Sequence, residues 1–198
     1  MLRAISLLVL WLILGMRLVA LAEPWTFKTI DFPGAANTEA MGISPSGDIV
    51  GRYRSTDRRL HGFLLSGDEF TAIDVPGATS TDAFGINPGG DIVGMYTNAD
   101  DVTHGFLLRH GMFTTIDVPS ATFTSAFGIN PRSDIVGAYD SPDGRRHGYL
   151  LSHGKFTPID VPGATLTFAF GINPHGDIVG GYIDADGVGH GLLVRKKH

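Results

Sequence analysis

The sequence predicts an all-β protein: a four-bladed β-propeller of four-stranded antiparallel blades, its ring closed by the N-terminal strand. Three observations predict it. The pairs Ile30-Asp31, Ile73-Asp74, Ile116-Asp117 and Ile159-Asp160 recur every 43 residues without insertion, the mark of supersecondary units that bury their apolar faces by stacking. Each repeat holds four short segments of strand character, and 27 glycines with 11 prolines argue for many short strands and turns. Finally, the repeat region opens on a fourth-strand segment, Phe27 to Phe32, and ends on a third-strand segment, His190 to Val194, so the two ends complement one another.

The second repeat shows the elements in order. Ala83-Phe84-Gly85-Ile86-Asn87 alternates large and small residues and reads as strand A, with Phe84 and Ile86 on one face and Ala83 and Gly85 on the other. Pro88-Gly89-Gly90 is a tight turn. Asp91 to Tyr96 follows as strand B, His104 to Leu108 as strand C after a polar loop, and Phe113 to Val118 as strand D, stopped by Pro119. Bulky residues at Met41/Ile43, Phe127/Ile129 and Phe170/Ile172 repeat the strand A pattern, which suits blades stacked face to face. A closed monomeric ring is therefore expected in preference to an open solenoid, which would want distinct capping repeats, or a larger assembled ring.

The first residues carry Arg3, an apolar run from Ala4 to Met16 and the small-x-small ending Ala20-Leu21-Ala22. This is the pattern of a secretory signal peptide over residues 1–22, leaving residues 23–198 as a single repeat domain. Arg17 limits the apolar run to about 13 residues where a bilayer span needs about 20, so no membrane span is expected after cleavage, a retained anchor being the alternative. There is no cysteine, so the exported fold relies on packing and hydrogen bonds. The formal net charge of −5 argues against nucleic acid as partner, since Arg195-Lys196-Lys197 is the one concentrated basic run.

The segments Gly85 to Tyr96 (GINPGGDIVGMY), His104 to Leu108 (HGFLL) and Phe113 to Pro119 (FTTIDVP) resemble the HAF-repeat family of bacterial extracellular proteins. The likeness covers Phe27 to Val194. The family's His-Ala-Phe triplet is here His61-Gly62-Phe63, His104-Gly105-Phe106, His147-Gly148-Tyr149 and His190-Gly191-Leu192, a variant of the motif. The resemblance implies secretion and a repeat-built β fold, and it brings no catalytic residue, cofactor or substrate.

His61, His104, His147 and His190 recur at the start of strand C. Blade-equivalent positions lie too far apart to converge on one ion, so each imidazole is expected to hydrogen-bond within its own blade, near Tyr53, Tyr96, Tyr139 or Tyr182 of strand B. Asp48, Asp91, Asp134 and Asp177 follow the A-to-B turn and read as turn locks. Asp184-Ala185-Asp186-Gly187 lacks the further oxygen ligands of a calcium loop and reads as a solvated hairpin loop. No cofactor and no side-chain metal site is expected; a cation on the ring axis, held by backbone carbonyls of the four inner strands, is left open. An acid and a base need unlike surroundings, whereas nearly every ionisable strand residue here occurs in four equivalent copies. No catalytic residues are assigned.

Function is sought where the copies disagree. The D-to-A loops and the longer B-to-C loops are expected on one face of the disc, as recognition loops on a rigid scaffold. Repeats one and two carry Glu39 and Asp82 where three and four carry Phe123, Leu166 and Phe168, and the B-to-C loops add Arg58, Arg59, Arg145 and Arg146. These nine residues are the candidate binding positions of a secreted, monomeric interaction module whose partner is an extracellular protein or glycan. The alternatives are a polysaccharide-acting lyase or hydrolase, or a purely structural repeat protein.

Overall fold

The computed structural model describes residues 25–195; the expected signal peptide lies outside them. Each 43-residue repeat folds as an antiparallel meander. The first blade contains β1 (Asn37–Ile43), β2 (Ile49–Arg54), β3 (Leu60–Ser66) and β4 (Glu69–Ile73). The second contains β5 (Ser80–Ile86), β6 (Ile92–Thr97), β7 (Thr103–Arg109) and β8 (Met112–Ile116), and the third β9 (Phe123–Ile129), β10 (Ile135–Asp140), β11 (Arg146–Ser152) and β12 (Lys155–Ile159). The last has β13 (Leu166–Ile172), β14 (Ile178–Ile183) and β15 (Gly189–Val194). One parallel pairing, Arg146 with Leu166, joins the last two blades into a seven-stranded sheet beside the two sheets of four.

The expected four-bladed ring does not form: no sheet is closed. β1 packs on β5, β5 on β9 and β9 on β13, without a comparable return from β13 to β1. The step between blades is set at the inner strands, where Phe84, Phe127 and Phe170 stand 5.5 and 5.6 Å apart. Three such steps between four blades leave an open arc, so the ring of inner-strand carbonyls that an axial cation would need is absent among the described residues.

The N-terminal segment also does otherwise than expected. It is not a strand beside β15; it lies on the first blade, with Ile30 and Phe32 packed on Tyr53, Phe63 and Leu65. Phe32 stacks on Tyr53 at 3.7 Å, and its N–H donates to Thr38 Oγ1 at 2.9 Å. The reason is visible one repeat later, where Ile73 and Val75 belong to the core of the following blade with Ala83, Ile92 and Phe106. The residues that end strand D are apolar toward the next blade, and residues 30–32 play that part toward the first.

Blade-to-blade packing carries the core. Val50, Val93 and Val136 are fully buried, each against the next blade. The alternation expected in strand A breaks at a bulge between Ala83 and Gly85 opposite Val93 and Gly94. One extra residue there reverses the faces, so Ala83 packs back on the first blade while Gly85 approaches the backbone of Phe127 in the third. Among the described residues no helix is long and apolar enough to cross a membrane.

Candidate functional site

The hairpin registers place the divergent residues. Asp140 lies opposite Arg146 at the mouth of the β10–β11 hairpin, and Asp140 also lies opposite Phe123 on β9. The Arg146 guanidinium donates from Nε and an Nη to the two carboxylate oxygens of Asp140, at 2.6 and 2.7 Å. That fork-to-fork contact fixes the plane of the guanidinium and raises its pKa further. Its central carbon then lies 4.6 Å from the centre of the Phe123 ring and 5.5 Å from that of Phe168, within cation–π range of both. Phe168 in turn stacks on Phe170, 5.5 Å away and tilted by 17°. Phe123, Leu166, Phe168 and Arg146 are half-buried, and Phe170 is exposed. The third and fourth blades thus share an amphipathic patch: a charged pair seated between phenyl rings, with an aromatic surface running along the inner strand β13.

The corresponding place on the first two blades is an ion network. Arg52 donates to Glu39 Oε2 at 2.8 and 3.1 Å and to Asp82 Oδ1 at 3.2 Å, bridging neighbouring blades. Asp82 is 2 % exposed. Burial pushes its carboxyl pKa up against the pull of Arg52. Asp82 is therefore committed to the blade interface and Glu39 to Arg52, so neither projects from a loop.

The other arginines are braces. An Nη of Arg59 donates to the Ala78 carbonyl at 2.9 Å, and one of Arg145 to the Ala164 carbonyl at 2.8 Å, each clipping a B-to-C loop to the next blade's D-to-A turn. Arg58 occupies a left-handed turn position at φ 71° and accepts from Arg54 through its carbonyl. The divergent D-to-A residues lie mostly on strand A, because β5, β9 and β13 begin at Ser80, Phe123 and Leu166.

Two participants were not singled out from the sequence, Asp140 and Phe170. A hairpin with Asp140 and Arg146 at its two ends pairs them directly once the register is drawn, which is the signal for the first. Phe170 repeats Phe84 and Phe127 and reads as core; it is exposed because no further blade covers it among the described residues.

The histidines have strand D partners. His61, His104 and His147 bond through Nδ1 to Asp74, Asp117 and Asp160 at 2.8, 2.9 and 2.8 Å, while Tyr53, Tyr96 and Tyr139 stack on them without hydrogen-bonding. Asp91 locks its turn and also accepts from Arg109 at 2.9 and 2.7 Å. Asp184 accepts from the N–H groups of Asp186 and Val188, closing its loop upon itself. Among the described residues no cluster of three or more metal-ligating side chains is present.

No protein-family model and no curated protein matches the chain. Solved structures do. AofleA of Arthrobotrys oligospora, as an arginine-to-alanine mutant, is similar at TM-score 0.52 and 14 % identity over 86 % of this chain and 59 % of that one. The lectin of Aleuria aurantia, described as a six-bladed β-propeller with a novel fucose recognition mode, is similar at TM-score 0.45 and 16 % identity over 74 % and 52 %. Its complex with Fucα1-6GlcNAc gives 0.47 and 14 % over 81 % and 61 %. The fold likeness rests on the first of these, of whose length the chain spans about three fifths. The expectation of all-β, propeller-type blades holds; four blades as a complete ring does not.

Proposed function

We propose that the chain is a secreted glycan-binding module and that the patch of Phe123, Asp140, Arg146, Phe168 and Phe170 is its binding surface. The observation that supports this reading is the Arg146–Asp140 pair held between two phenyl rings. A saccharide presents an apolar C–H face and a rim of hydroxyls, and a phenyl surface beside a fixed pair of charged donors and acceptors answers both. Leu60, Thr103 and Gly189 replace Arg146 in the other repeats, so the patch occurs once along the arc. Secretion is carried by the leader pattern at residues 1–22 and by the HAF-repeat resemblance.

The experiment is titration of the folded chain against a panel of monosaccharides and oligosaccharides, with fucosides included because the Aleuria aurantia lectin was solved with α-methyl-L-fucoside. Phe123→Ser with Phe168→Ser is expected to weaken binding at least tenfold while far-UV circular dichroism stays unchanged. A folded double variant with parental affinity would overturn the site, and absence of any sugar binding by the parent would overturn the glycan class. Capture of a protein partner, lost in the same variant, would move the patch to protein recognition; product formation would favour the polysaccharide-acting alternative.

A further inference from the structure

The last blade has an open seat. A pocket of about 380 Å³ is lined by Leu150, Ile159, Val161, Ile178, Leu192 and Val194 among others. One repeat earlier, the equivalent residues Leu107, Ile116, Val118, Ile135, Tyr149 and Leu151 belong to one apolar cluster against which Phe156 packs. Phe70, Phe113 and Phe156, all on strand D, pack edge-on against Phe63, Phe106 and Tyr149 at 5.6, 5.6 and 5.4 Å. The last blade has no fourth strand among the described residues. By the 43-residue step, the phenylalanine that precedes Phe70 in this series is Phe27, which is 91 % exposed.

Two further mismatches point the same way. Three of the four repeated histidines hold the aspartate 13 residues on through Nδ1, but His190 Nδ1 has no such partner among the described residues, its Nε2 being bound to Asp184. Asp31, the aspartate of the N-terminal segment, has no side-chain hydrogen bond among the described residues. The blade faces are complementary as well. Val179 and Leu193 are 54 % and 52 % exposed on the face that, in the preceding blades, is covered by the next one. At the other end of the arc Ala40 is exposed and Ile49 half-buried, where Ala83 and Ile92 are buried under the previous blade.

Within one chain the N-terminal segment lies on the first blade, at the far end of the arc from the pocket. We infer that this segment of one copy completes the last blade of a second copy. Residues 27–31 add to β15 as an antiparallel fourth strand, Phe27 fills the pocket, Asp31 meets His190, and the donor's first blade stacks on Val179 and Leu193 of the acceptor. The register of β3 with β4, where Leu64 faces Thr71, sets Lys28 opposite Leu193. The contact is head-to-tail, so each copy offers one end as donor and one as acceptor.

The chain has no cysteine, which makes an introduced pair a clean reporter. Lys28→Cys and Leu193→Cys, prepared separately, mixed and oxidised, are expected to give a disulfide-linked pair that neither gives alone. Light scattering on the parent chain is expected to show more than one copy per particle. Phe27→Ala should return it to a single copy with unchanged circular dichroism, since the ring it removes is solvent-exposed within the chain. The inference is overturned by a parent that stays a single copy at every accessible concentration, by an assembly that Phe27→Ala leaves intact, or by a disulfide within one chain when both cysteines are placed together.

Discussion

Tyr149 is wholly buried, its hydroxyl finds no hydrogen-bond partner, and the equivalent residues Phe63 and Phe106 are equally buried without one. Burial pushes the phenol pKa far up, so the group stays neutral. An unpaired buried hydroxyl costs free energy that its loss recovers. Tyr149→Phe is therefore expected to leave stability unchanged or to raise it by up to about 1 kcal/mol, read from the urea midpoint at constant slope; a comparable loss would mean the hydroxyl is satisfied in solution. Residue roles were unevenly legible. Histidine at a fixed place in four repeats announced a structural bond, but its acceptor, 13 residues on, depends on how strands C and D pair. Arg59 and Arg145 look like free loop charges in one dimension and are interblade clips in three.

At the scale of the element, the junction of strands A and B is the tightest place in each repeat. A Cβ on Gly94 would lie 2.0 Å from the Asp82 carbonyl oxygen and 2.7 Å from the Phe106 ring. Backbone occupies that space, so no side-chain rotation relieves the clash. Gly94→Ala is expected to cost about 3 kcal/mol or more. Gly67→Ala, at a turn with φ 61° and open space around it, should cost nearer about 1 kcal/mol. Parallel urea unfolding of the two variants checks the contrast, and equal costs would remove the bulge as a rigid junction. The existence of the strands was plain from apolar patterning and turn residues. Strand A nevertheless begins earlier than the Ala83 expected of it, since Ser80 to Asp82 pair with Met95 to Thr97, a partner relation that local pattern does not encode.

For the whole molecule, stability is a chain of nearest-neighbour contacts between blades, as in other repeat folds. The two middle blades are covered on both faces by neighbours, whereas the last exposes Val179 and Leu193. Opening should therefore begin at the last blade. In the Phe27→Ala variant, amides of β14 and β15 are expected to exchange hydrogen at least tenfold faster than those of β6 and β10, read residue by residue by NMR. Uniform protection across the arc would show that the blades unfold as one unit.

The sequence by itself determined the period, the number of repeats, the all-β class and the interior of each blade, because those depend on local alternation and on turn residues repeated every 43 positions. It did not determine whether the blades meet. Closure depends on the angular step between neighbours, and that step comes from how Phe84, Phe127 and Phe170 and the glycines beside them pack between strands distant in the chain. The same holds for the candidate site: the divergence of Phe123, Phe168 and Arg146 was readable, but only the tertiary structure brought them around one guanidinium. Local chemistry repeats with the sequence, whereas the geometry between repeats exists only once the side chains are packed.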